Sequence, residues 1–169
     1  MAKIYNFMRE KLQSSGRSGG NIHLQASAIT ASSFAESSCR PEMAVMDKNG
    51  VPSKGLFAWQ LNLLWNLEKK YNVPSSQQDN NTRPLPITLE QQVAYFWDDF
   101  SGRDKTAFNA MMAARDAADA TEAMIMYEKP AGVYARGPDR KWRVVRSHPE
   151  FAKRLKFTND ISNKMQPGR

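Results

Sequence analysis

The stretch from Thr88 to Phe100 limits the fold more than any other part of the chain. Leu89, Val93, Phe96, Trp97 and Phe100 recur three and four residues apart, so a helix here carries one continuous apolar stripe that has to be buried. Thr88 and Gln91 have the spacing of a capping box, in which each side chain satisfies a backbone N–H that the first turn leaves without a partner. A capped, one-sided helix of this kind needs other apolar faces to pack against.

Those faces recur along the chain. Residues 3–13 form a short, weakly amphipathic helix. Asn21 caps a helix running to about Ser37, with Ile22, Ala26 and Ile29 at helical spacing. Its small residues (Ala26, Ala28, Ala31, Ser32, Ser33, Ala35) let neighbouring elements approach closely. A second amphipathic helix places Leu56, Gln60, Leu63, Leu67 and Tyr71 on one face. Phe108, Met111 and Met112 mark a short helix after Gly102. Asp116 starts another, with Ala120, Met124 and Tyr127 inward, and Pro130 ends it. Ser147 with Glu150 makes a second capping box, opening a helix through Phe151, Leu155, Thr158 and Ile161.

Between helices, residues 14–20 and 72–87 read as loops. Residues 38–54 hold Asn49-Gly50, a hairpin-turn signal bracketed by Pro41 and Pro52, and form a short hairpin or irregular loop. Residues 132–146 are irregular or hairpin-like around Gly137-Pro138. The expectation is a mainly α (α+β) fold: one domain over 1–169, with a small β-hairpin near residues 40–54. Residues 1–20 form its N-terminal helix and loop, and a C-terminal segment over 129–169 packs on the same domain.

Composition excludes several classes. Four Trp, eight Phe and five Tyr are too much aromatic surface for a disordered chain. No run approaches the roughly 20 apolar residues of a spanning helix. The polar, mixed-charge start is not expected to be a signal peptide. Cys39 is the single cysteine, which excludes an internal disulfide and a cysteine-built metal site. His23 and His148 lack metal-ligand spacing, and there is no phosphate-cradling glycine loop, so neither metal nor cofactor is expected.

The charge is uneven. Residues 1–128 carry 13 basic and 14 acidic side chains, whereas residues 129–169 carry 11 basic and three acidic ones. That segment either solvates the protein or is attracted to a polyanion: nucleic acid, anionic lipid or anionic bacterial wall.

Glu36 is the leading candidate for chemistry. It lies at the predicted C-terminus of a helix, where the negative end of the dipole disfavours an ionised carboxylate and partial burial adds to the effect. A carboxylic acid that keeps its proton is what a general acid needs. Spacing alone also allows an ordinary surface Glu.

Further along, Ala35-Glu36-Ser37 follows a small-residue helix, Gly55-Leu56-Phe57-Ala58-Trp59 follows the hairpin, and Tyr127-Glu128-Lys129-Pro130-Ala131-Gly132 follows an alanine-rich helix. Phe151-Ala152-Lys153-Arg154 is a weaker match. In this order, the stretches resemble the phage tail lysozyme family of the lysozyme-like superfamily, over roughly residues 20–160. The resemblance implies a muramidase that cleaves between N-acetylmuramic acid and N-acetylglucosamine in peptidoglycan. Glu36 matches the family's catalytic glutamate and would protonate the leaving oxygen. The turn from Gly55 to Trp59 would line the sugar cleft, with Phe57, Trp59 and Tyr127 among the substrate-binding residues. Relatives often have Gln at the position of Ala58, and Gln60 is the nearby candidate to replace it.

A second carboxylate selects inversion or retention in glycosidases. Asp47, in the hairpin, is the first candidate, as a base for water or a stabiliser of an oxocarbenium-like sugar; it is otherwise a turn residue. Glu42 is a poorer one. Glu128 reads more readily as an ion-pair partner to an arginine. Ser53 either positions water or serves the turn. Of the tryptophans, Trp97 reads as core, Trp59 has the best claim to a sugar, and Trp142, flanked by cations, either stacks on a base or sugar or packs inward.

The expected partners are peptidoglycan strands, the anionic wall through residues 129–169, and phage tail proteins, with no nucleic acid. The resemblance implies a virion tail location, or host cytoplasm with later release to the wall. A lytic transglycosylase using Glu36 alone is the nearest alternative, and a non-catalytic tail or wall-binding protein is another.

Overall fold

The computed structural model describes residues 1–16, 19–48, 50–75 and 83–166. Asn49 of the expected hairpin turn, Arg17 and Ser18 of the first loop, residues 76–82 of the proline-bearing loop, and Arg169 of the basic segment lie outside the described residues. The fold is mainly α. The helices are α1 (Ala2–Ser14), α2 (Ile22–Ser37), α3 (Leu61–Lys70), α4 (Leu89–Gly102), α5 (Lys105–Ala113), α6 (Ala117–Glu128) and α7 (Pro149–Lys164). The strands are β1 (Ala44–Met46), β2 (Pro52–Lys54), β3 (Tyr134–Arg136) and β4 (Trp142–Val144). They form two antiparallel hairpins, β1 with β2 and β3 with β4. The hairpin expected near residues 40–54 is thus joined by a second, over the stretch read as irregular or hairpin-like. Among the described residues no helix is long and apolar enough to cross a membrane.

Local chemistry sets most helix starts. Asn21 Oδ1 accepts from Leu24 N–H at 3.2 Å, Asp104 from Ala107, and Asp116 from Asp119. The Thr88–Gln91 box is complete: Thr88 N–H donates to Gln91 Oε1 at 2.9 Å, and Gln91 N–H to Thr88 Oγ1 at 3.2 Å. Two expected starts shift. The box at Ser147 and Glu150 does not form. Pro149 occupies the first helical position, so the cap falls one residue later, on His148, whose Nδ1 accepts from Glu150 N–H. Helix α3 begins at Leu61, so Leu56 and Gln60 are not on its face. Gly55 at φ +77° and Ala58 at φ +48° are left-handed, and Trp59 pairs with Lys54 through both backbone bonds, which holds residues 55–59 as a turn.

The described residues divide into two compact units, Met1–Ser32 with Trp97–Arg169, and Ser33–Phe96. In the first, α2 is buried on every side from Gln25 to Ser32, which its small residues permit. Asn21 N–H bonds Ala114 O at 3.0 Å, and a Cβ on Gly20 would sit 2.0 Å from that oxygen, so only glycine fits there. His23 ties three helices: Tyr5 Oη is 2.6 Å from its Nδ1, and Ser162 Oγ 2.8 Å from its Nε2.

Glu128, at the end of α6, pairs with Arg154 of α7, both side chains being less than a tenth exposed. Ser32 Oγ also donates to Glu128, and Arg154 Nε reaches Glu150 at 3.0 Å. Glu128 is therefore the partner of an arginine, as its sequence context suggested. Removing one member of a buried pair strands the other charge. Arg154→Met is expected to lower the unfolding free energy by about 3–5 kcal/mol, and adding Glu128→Gln to recover much of the loss. Urea denaturation followed by circular dichroism measures both; a single-variant loss under about 1 kcal/mol would mean that the pair is solvated.

Candidate active site

The candidate site is built within the unit Ser33–Phe96. Glu36 lies in the last turn of α2, half-buried. The helix stops because Ser38 (φ +56°) and Cys39 (φ +59°) turn left-handed, and Cys39 N–H reaches back to Ser33 O. Ser37, next to Glu36, is buried, with its Oγ 3.0 Å from Ser33 O and 2.9 Å from Leu56 O. One hydroxyl thus ties the end of the Glu36 helix to the turn from Gly55 to Trp59. Burial pushes the Cys39 thiol above its ordinary value, which keeps it protonated and a poor nucleophile.

The turn itself is fixed from several sides. Gly55 N–H donates to Met43 O at 2.8 Å. A Cβ on Gly55 would lie 2.6 Å from Gln92 Oε1 and 2.9 Å from the Trp59 ring. Ser53 Oγ donates to Ala58 O at 3.1 Å, and Gln60 Nε2 donates to Ser53 Oγ at 3.0 Å. Gln60 therefore serves the same turn that carries Ala58. Phe57 and Trp59 are buried beneath it, 6% and 2% exposed. The Phe57 ring stacks on Phe96 at 4.2 Å, and Trp59 meets Tyr95 edge-on at 5.6 Å. Among the described residues the Trp59 indole N–H has no acceptor, so packing alone orients that ring.

Asp47 is half-buried at the bend between β1 and β2. Its Oδ1 accepts from Val51 N–H at 2.8 Å, and its backbone exchanges bonds with Gly50 and Val51. One carboxylate oxygen is thus engaged by the hairpin. Glu42 is exposed.

Tyr127 belongs to the other unit. Its hydroxyl donates to Asp99 Oδ2 at 2.7 Å, and Arg103 grips the same carboxylate through two bonds of 2.9 Å. Burial, and then Asp99, push the phenol well above its ordinary value. Trp97 in that unit is half-buried against Phe108.

Gln92 escaped the sequence reading. It is fully buried. Its Oε1 accepts from Leu56 N–H at 2.9 Å, and its Nε2 donates to Pro41 O at 3.0 Å and Ile87 O at 3.1 Å. The available signal was a polar residue on the apolar stripe, three after Leu89 and four before Phe96.

Residues 1–156 match the sequence profile of the family described as phage tail lysozyme. The chain belongs to that family. It is thereby a phage lysozyme-type protein directed at peptidoglycan. No curated protein matches it significantly, and neither does any solved structure. The family match includes both the helix end that carries Glu36 and the turn that Gln92 supports.

Gln92→Leu leaves the Leu56 N–H and two carbonyls without their amide partner, and is expected to cost at least about 2 kcal/mol. Gly55→Ala adds left-handed strain to a contact that cannot open easily, and is expected to destabilise by about 1–3 kcal/mol. Thermal unfolding of the two variants checks both; an unchanged midpoint in either would mean that the turn is not held as described.

Proposed function

We propose that the chain is a muramidase in which Glu36 is the general acid. The carboxyl proton of Glu36 passes to the glycosidic oxygen of the departing N-acetylglucosamine. The bond from that oxygen to C1 of N-acetylmuramic acid breaks, and positive charge develops on the sugar. Water completes the hydrolysis, with Asp47 taking its proton or stabilising the charge. The observation that carries this reading is the Ser37 bond, which ties the Glu36 helix end to the Gly55–Trp59 turn in a chain of the phage tail lysozyme family.

In this reading the turn contacts the sugar through its backbone and through Gln60, with Ser53 setting Gln60 in place. Phe57 and Trp59 support the turn from below, and Tyr127 shapes its own unit through Asp99. The basic segment 129–169 adds attraction to the anionic wall, and tail proteins are the partners that carry the enzyme in a virion.

The engagement of Asp47 Oδ1 by the hairpin favours one second reading, a lytic transglycosylase. There the sugar's own hydroxyl closes an anhydro ring, and no second carboxylate is needed.

Glu36→Gln is expected to reduce fragment release from purified peptidoglycan by about 100-fold or more. Full activity in that variant would sink the mechanism. Asp47→Asn separates the two chemistries: a large loss supports hydrolysis, and indifference supports the transglycosylase. Mass spectrometry reads the products directly, because anhydro ends are lighter by one water. Binding without any released sugar from the wild-type chain would make it a wall-binding protein.

A further inference from the structure

The second hairpin presents an aromatic face that the catalytic proposal does not use. In β3 and β4 the register pairs Tyr134 with Val144, Ala135 with Arg143, and Arg136 with Trp142. Alternation puts Tyr134, Arg136, Trp142 and Val144 on one side. Trp142 is 60% exposed, more than any other large apolar side chain among the described residues. It does not dangle: its ring lies flat on Tyr134, 5.4 Å between centroids and 10° between planes. Tyr134 and Val144 in turn pack on the buried cluster of Ile125, Val133 and Phe151. The outer indole face is thus held in place before any ligand arrives, which lowers the entropy lost on binding.

Ion pairing leaves most of the free cations among the described residues of the basic segment at the same place, with Lys164 at the end of α7 the exception. Lys129 pairs with Asp104, Arg143 with Asp139, Arg146 with Asp119 and Glu122, Lys153 with Glu150, and Lys156 with Asp160. Arg154 is buried with Glu128. Arg136, Arg140 and Lys141 are exposed and make no ion pair among the described residues. Arg136 is the register partner of Trp142, and its Nε donates to Arg140 O at 2.8 Å, which fixes the guanidinium within the hairpin.

We propose that this hairpin is a peptidoglycan-strand binding site, in which Trp142 stacks on the apolar face of a sugar while Arg136, Arg140 and Lys141 meet the carboxylates of the strand. The chemistry favours this occupant over a polynucleotide. A single-stranded nucleic acid uses successive aromatic faces along a basic groove, and the hairpin offers one face about the size of one pyranose ring. The inference rests on peptidoglycan being the target, as proposed above, but not on Glu36.

The test uses the full chain with Glu36→Gln, so that the wall is not digested, and sedimentation with purified peptidoglycan stripped of other polymers. Trp142→Ala is expected to weaken binding about tenfold, and Trp142→Phe, which keeps an aromatic face, to restore most of it. Arg140→Gln with Lys141→Gln is expected to weaken binding severalfold at low salt, with the difference closing at high salt. Circular dichroism of each variant establishes that it is folded. Equal binding by the Trp142→Ala and parent chains overturns the proposal. So does a parent chain that ignores peptidoglycan but binds a single-stranded oligonucleotide through Trp142. A wild-type chain that releases no sugar, while the Glu36→Gln chain still binds through Trp142, defeats the muramidase reading and leaves the hairpin site standing.

Discussion

The candidate site depends on one buried amide. Gln92 projects from α4 into the unit Ser33–Phe96 and bonds three backbone groups that no helix or strand satisfies: Leu56 N–H, Pro41 O and Ile87 O. Buried backbone groups need partners, and residues 41, 56 and 87 lie in turns and loops. Only a side chain with an acceptor and two donors on one rigid plane can serve all three. The need for glycine at position 55 follows, because Gln92 Oε1 occupies the space that a Cβ would take. The turn held in this way is the one that Ser37 fastens to the end of the Glu36 helix.

The other unit is held by different physics. There α2 is enclosed on all sides from Gln25 to Ser32, and its small residues make room for neighbours while its polar ones reach specific partners. Ser32 takes part in the buried Glu128–Arg154 pair, and His23 joins Tyr5 to Ser162. These contacts convert charge into position. Most of the arginines and lysines that make residues 129–169 basic are engaged in ion pairs, and of the described ones left unpaired all but Lys164 lie on the β3–β4 hairpin. A positive net charge computed over a segment therefore overstates how much of it faces a ligand.

Much of the fold was legible residue by residue. Caps at Asn21, Thr88 and Asp116 act over three residues, and the stripe through Val93, Phe96 and Phe100 recurs at a fixed period, so local rules suffice. The misreadings share a cause. Leu56 and Gln60 fit a helical face, yet left-handed backbone at Gly55 and Ala58 and the Lys54–Trp59 pairing override the period. Ser147 and Glu150 fit a capping box, yet Pro149 moves the start by one residue. Trp59 has a motif's claim to a sugar and lies 2% exposed against Tyr95, because a turn of five residues can bury a ring that its sequence places in a motif.

The sequence by itself determined the helices, the mainly α class, the family, and Glu36 at a helix end. These follow from periodicity, caps and short motifs, which act over a few residues. Only the tertiary structure decided which cations are free, that Gln92 is the support of the turn, and that Trp142 is an exposed platform backed by Tyr134. The Gln92 bonds, the Arg146 and Arg154 pairs and the packing of Tyr134 near Phe151 bring together groups far apart in the chain, and no local rule states which buried amide will find which carbonyl, or which arginine will find a carboxylate.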